Sequence, residues 1–186
     1  MVAWVAAPIG AGVALFALLA NMKANQANAK ARKATFWLEL RKMFAEHHKV
    51  HHSLDPRGAW ADEVGRDSLE RYGNRIVVSW AQEKVSMKEA DWHKLPGPKT
   101  AEQWREVEAY MGLFEHCETM FKDKLIDLDT FNDIYRYRLS NLMANRKIVL
   151  EKLGRQRHGY TRFLALLKRV KIKAPPKKNL VIERWL

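Results

Sequence analysis

The chain has 186 residues, 47% of them apolar, which is enough for one domain with its own core and excludes a disordered polymer. Its 33 Lys and Arg against 21 Asp and Glu leave a net charge of +12, and a single cysteine, Cys117, excludes an intrachain disulfide. There is no P-loop, G-x-G-x-x-G, G-x-S-x-G or H-E-x-x-H pattern, so an enzyme is not expected.

From Met1 to Met22 the chain carries no charged side chain, and Lys23 is the first. A bilayer core of ~30 Å needs roughly 20 helical residues, so this run is expected to be a membrane anchor. The competing readings are a cleaved signal peptide, which lacks its positive n-region here, and a buried soluble helix. Lys23, Lys30, Arg32, Lys33, Arg41 and Lys42 all follow the run. By the positive-inside rule this predicts a single-pass inner-membrane protein with its soluble part in the cytoplasm. Ala6, Gly10 and Ala14 recur at four-residue spacing, which would let a second helix pack closely in the membrane.

The stretch Ala24 to Lys49 lacks Gly and Pro, so the anchor is expected to continue as a helix. Its apolar face holds Phe36, Leu40, Met43, His47, Val50 and Leu54. Asp55, Pro56 and Gly58 then break the pattern. Leu69, Tyr72, Ile76 and Trp80 return to helical spacing. After Leu95-Pro96-Gly97-Pro98, Thr100 and Gln103 have capping-box spacing for a helix carrying Trp104, Val107, Met111, Phe114 and Phe121. Asp127 or Asp129 can cap the next helix, which is expected to stop at Gly154. A last amphipathic helix covers Tyr160 to Val170. No period-two alternation predicts a sheet. The expected fold class is therefore all-α: a single N-terminal transmembrane helix continuing into a small helical bundle with a basic C-terminal tail. Its divisions are 1–22 (anchor), 23–54 (helical extension), 59–170 (helical soluble domain) and 171–186 (basic, Pro-containing tail).

The block YMGLFEHCETMFKDKLIDLDTFNDIYRYRLSNLMANRKIVLEKL and the segment FWLELRKMF resemble a bacterial family of unknown function. The resemblance implies an N-terminal membrane helix followed by further helices, and it carries no catalytic residue over.

Two clusters stand out. In EHHKVHH, His47 and His51 are four apart, as are His48 and His52, the spacing at which two imidazoles share a divalent metal. A third ligand would have to come from His93, Glu115, His116 or Cys117. The alternatives are a packed core histidine and a patch that titrates near neutrality. The second cluster is charge: residues 136–178 hold fourteen Lys or Arg against one acid, Glu151, while the remainder is close to neutral. Arg155, Arg157, Arg162, Lys168, Arg169, Lys171, Lys173, Lys177 and Lys178 are the candidate contacts to a membrane surface or partner. Lipid and a protein partner or second copy are favoured. Nucleic acid is disfavoured, because no recognition motif accompanies the charge. The expected role is a membrane-anchored, non-enzymatic accessory, scaffold or interaction subunit without cofactor; the alternative is a metal- or pH-responsive regulator built on His47 to His52.

Overall fold

The computed structural model describes the backbone of residues 6–73, 75–81 and 85–183, and the side chains of 21–73, 75–80 and 87–182. The chain divides into two units, 1–40 and 41–186. The first is the body of one long helix, α1 (Ala6–Glu46). Residues 21–35 of that helix are exposed all round.

The expected transmembrane helix, and with it the single-pass inner-membrane placement and cytoplasmic orientation, is corrected by the structure. Among the described residues no helix is long and apolar enough to cross a membrane. From residue 21 onward α1 carries Lys23, Lys30, Arg32, Lys33, Glu39, Arg41, Lys42 and Glu46, charges that a ~30 Å hydrocarbon layer does not accept in sequence. Residues 1–5 of the uncharged run lie outside the described residues. So do the side chains of 6–20, including the spaced Ala6, Gly10 and Ala14.

The second unit is mostly helical, but it contains sheet, so the all-α expectation is corrected as well. Two helices organise its core. The first, α5 (Ala101–Lys122), starts at the expected capping box: the Thr100 hydroxyl accepts from the Gln103 amide, and the Gln103 side chain accepts from the Thr100 amide. The second, α6 (Leu128–Ala144), is capped by Asp127, whose carboxylate accepts from Thr130 N at 2.8 Å. Their apolar stripes meet, with the Phe121 and Phe131 rings edge to face at 5.2 Å. Tyr110, Phe114, Phe131 and Tyr135 are fully buried, and Phe44 at the end of α1 stacks on Tyr135 at 4.1 Å and packs on Phe114 at 5.0 Å. A short α2 (His48–Leu54) follows Phe44 and adds Val50 and Leu54 to this core.

The expected single helix from Asp127 to Gly154 is broken at Asn145, whose backbone is extended (ψ 101°). Its side chain explains the break. The Asn145 Oδ1 accepts from Ile148 N at 2.9 Å and caps α7 (Arg146–Val149), while Nδ2 donates to the Trp60 and Pro96 carbonyls. Asp62, 3% exposed, caps α3 (Glu63–Asp67) and also receives Arg146 through Nε at 2.8 Å and Nη2 at 3.0 Å. Beyond α7 the helix widens into a π-helical turn, Leu150–Arg155.

Leu69, Tyr72, Ile76 and Trp80 do not lie on one helix. A hairpin occupies this stretch: β1 (Leu69–Tyr72) runs antiparallel to β2 (Arg75–Val78), with Tyr72 opposite Arg75. The two-residue Gly-Asn connection and the β-branched Ile-Val-Val run favour a strand pair over a helix, and Gly73 has the positive φ (59°) such a turn requires. Two further strands arise from the expected basic tail. Ile172–Lys173 (β4) pairs parallel to β2, and Leu180–Glu183 (β5) pairs parallel to β3 (Val85–Lys88). A small α4 (Glu89–Lys94) follows β3. The last helix, α8 (Thr161–Arg169), packs on α5 through Phe163, Leu166 and Leu167, all 0% exposed. Its apolar face is thus covered by the protein and is not presented to a lipid interface.

Candidate functional site

The sheet β1–β2–β4 has two faces. Ile76 and Val78 of β2 are buried toward the core, and the alternate residues Tyr72, Arg75 and Val77 lie on the opposite face. There they meet α8 and the chain that follows it. The result is an open groove of about 620 Å³ with an apolar floor of Val77, Leu164 and Ala174. Around the floor stand Arg75, Arg157, Lys168, Lys171 and Lys173, with Tyr72, 60% exposed, at the edge. No carboxylate is among the described residues that line the groove, but Glu70, in register with Val77, accepts from the Tyr72 hydroxyl at its edge.

Four of the five cations have a further structural reason for their place. Lys168 is in the last turn of α8, where a positive charge also complements the helix dipole. Lys171, with φ +60°, turns the chain out of α8 into β4. Lys173 pairs in register with Val77, which sets it beside the hairpin's outer face. Arg157 is fixed by donating from Nη1 to the Pro175 carbonyl at 2.7 Å. Burial holds its guanidinium below the usual arginine range.

Four of the nine predicted basic contacts therefore converge: Arg157, Lys168, Lys171 and Lys173. Arg162, Lys177 and Lys178 are exposed elsewhere. The other two are used by the fold. Arg169 makes a two-pronged pair with Glu118 (2.8 Å for both bonds) and lies over Phe121. Arg155 reaches Glu151 at 3.1 Å and Glu89 at 3.3 Å and sits 5.4 Å over Trp92. Trp92 and Trp104 stack nearly parallel at 6.2 Å, with Lys147 over the first ring and Lys152 over the second. Lys147 and Lys152 are only 3% and 2% exposed. Much of the charge in residues 136–178 is therefore internal, and the linear count overstates what a partner meets.

Two groove residues escaped the sequence reading, Tyr72 and Arg75. They flank the turn of a hairpin about a hundred residues upstream of the other cations. The signal that would have found them is the Tyr-Gly-Asn-Arg turn, read as a helix instead.

The histidines are placed differently from the expectation. His47 sits at the junction of α1 and α2 (φ −97°, ψ 21°), so one continuous helical face does not run through the cluster. His48 donates from Nδ1 to the Ala45 carbonyl at 3.0 Å. His51, 8% exposed, is hydrogen-bonded through Nε2 to Tyr137 Oη at 2.9 Å and lies 3.7 Å from Asp55 through Nδ1. Burial, followed by Arg138, lowers its pKa against the opposing pull of Asp55. His52 is exposed and 3.5 Å from the other Asp55 oxygen. Among the described residues no group of three or more His, Cys, Asp or Glu gathers to hold a metal. Three of the four distant ligand candidates are engaged elsewhere: Glu115 accepts from Phe163 N, His93 packs against Trp92, and Cys117 is buried with its thiol pushed up to about 12, while His116 is exposed on α5.

No family model, curated protein or solved structure matches the chain, so the resemblance carried by Tyr110–Leu153 gains no support from comparison.

Proposed function

We propose that this protein is a non-enzymatic interaction subunit that docks an acidic, apolar-bearing segment of a partner protein in the groove between the hairpin and α8. The observation that carries this reading is the arrangement of five cations around an apolar floor without a lining carboxylate. A surface with this composition repels basic ligands and attracts anionic ones over a Debye length of about 8 Å at physiological salt. The floor selects further. A phosphate backbone gains little from Val77, Leu164 and Ala174, whereas a peptide alternating acidic and aliphatic side chains satisfies both rim and floor.

The test is fluorescence anisotropy with a labelled Glu/Leu peptide, a poly-Glu peptide and a single-stranded oligonucleotide of equal charge. The Glu/Leu peptide is expected to bind tightest. Binding should weaken about tenfold in a Lys168→Glu, Lys171→Glu double variant, since exposed charge pairs contribute up to about 1 kcal/mol each. Tighter binding of the oligonucleotide, or indifference to the charge reversal, overturns the reading. A second reading, a proton-responsive contact, is favoured by His51, wedged between Asp55 and Tyr137. It does not compete for the groove.

A further inference from the structure

The exposed part of α1 is a basic surface. No Asp or Glu precedes Glu39 in the sequence, while Lys23, Lys30, Arg32 and Lys33 all stand exposed on the helix. None of the four is paired with an acid among the described residues. We propose that residues 23–38 of α1 are a docking face for one acidic helix of a partner protein, packed alongside as a two-stranded coil. This face is separate from the groove and stands whether or not the groove reading holds.

Charge complementarity carries the proposal. Four cations without a carboxylate on one exposed helix attract an anionic partner and repel a second copy of this chain, which would bring the same four. What lies beside the cations sets the form of that partner. Ala24, Ala27, Ala31, Ala34 and Leu38 recur at alternating spacings of three and four, the heptad seam of a coiled coil, and all are exposed, Leu38 to 55%. Lys23 and Lys30 each stand one residue before a seam alanine, at the flanking position whose charge selects the partner in such a coil. Asn28 and Thr35 border the other side of the seam. A second copy would therefore set lysine against lysine when antiparallel and lysine against Asn28 or Thr35 when parallel, whereas a helix with Glu at its flanking positions pairs with both lysines. Alanine methyls let two helices approach closely. They give a bilayer little bulk to bury, and a nucleic acid is gripped through its phosphates without need of a seam. The alanines also keep this stretch helical although it has no acid to pair with its lysines, so docking a second helix costs little ordering.

The face is tested on the full chain by fluorescence anisotropy with a labelled helical peptide that has Ala and Leu in its own heptad seam and Glu at the flanking positions. Saturable binding is expected, about tenfold weaker in a Lys23→Glu, Lys30→Glu variant and unchanged in Lys168→Glu, Lys171→Glu, which separates this face from the groove. A second variant, Ala27→Lys with Ala31→Lys, adds charge but blocks close approach. It should weaken the peptide about tenfold, whereas simple attraction to a polyanion would grow stronger. All six residues are exposed, so the variants should fold, and an unchanged helical circular dichroism verifies it. Absence of saturable binding, tighter binding in the Ala27→Lys, Ala31→Lys variant, or a larger loss in the groove variant than in Lys23→Glu, Lys30→Glu overturns the proposal. So does tighter association with a duplex oligonucleotide or with phosphatidylserine vesicles than with the peptide, or a dimer of the chain in sedimentation that Ala27→Lys, Ala31→Lys dissolves.

Discussion

At the residue scale, the pair Glu118–Arg169 shows how unequal the two ends of one ion pair can be. The Glu118 side chain is 3% exposed and the Arg169 side chain 37%. Glu118 is an unpromising residue for the interior of α5, and its carboxylate is tolerable only because Arg169 closes on it with two charge-assisted hydrogen bonds. Removing Arg169 leaves a buried carboxylate without its partner, whereas removing the charge of Glu118 leaves a guanidinium that water can reach. Arg169→Ala is therefore expected to cost about 3–5 kcal/mol, and Glu118→Gln no more than about 2 kcal/mol, both measured by denaturant unfolding. Equal losses in the two variants would show that packing over Phe121, not charge burial, accounts for the pair.

At the element scale, the decisive contacts are where a chain end meets a backbone. The α3 turn runs against the last carbonyls of α6, and a Cβ built on Gly65 would stand 1.8 Å from the Ala144 carbonyl oxygen. Backbone cannot rotate away as a side chain can, so Gly65→Ala forces α3 off the Asn145 junction. A loss of about 2–3 kcal/mol is expected. Gly112 is the control. It lies within α5, where an added Cβ would meet nothing within 4 Å, and there Ala only removes the flexibility of the unfolded chain. Gly112→Ala should stabilise by about 0.5–1 kcal/mol. Thermal melts of the two variants beside the parent check both signs in one experiment.

At the scale of the whole molecule, legibility in the sequence followed contact range. The helices α5 and α6 were readable because cap and stripe are local: Thr100 with Gln103, Asp127 with Thr130, and apolar residues three and four apart. The sheet was not, because Ile172 and Leu180 find partners about a hundred residues away, and strands of two to four residues leave no periodic trace. The groove inherits that division: its α8 side was visible as charge, and its hairpin side was not.

The histidine motif was visible as composition, but its consequence depends on an equally distant contact, between α2 and α6. His51 faces Asp55 and His52 from its own helix and Tyr137 and Arg138 from α6. Burial and Arg138 outweigh Asp55, so the folded state binds a proton at His51 more weakly than the unfolded chain, whose histidine pKa is about 6.5. Where the unfolded state binds more protons, stability rises with pH. The contribution of His51 is thus present above about pH 6.5 and is lost as pH falls through its lower folded value. The thermal midpoint should consequently drop between about pH 7.5 and 5.5, before most carboxylates titrate. His51→Gln, which can keep a hydrogen bond to Tyr137 but cannot be protonated, should flatten that slope. His52→Ala, at a side chain 72% exposed, should leave it unchanged. A slope that survives His51→Gln would place the proton-sensitive group elsewhere and remove the grounds for reading this contact as a proton-responsive element.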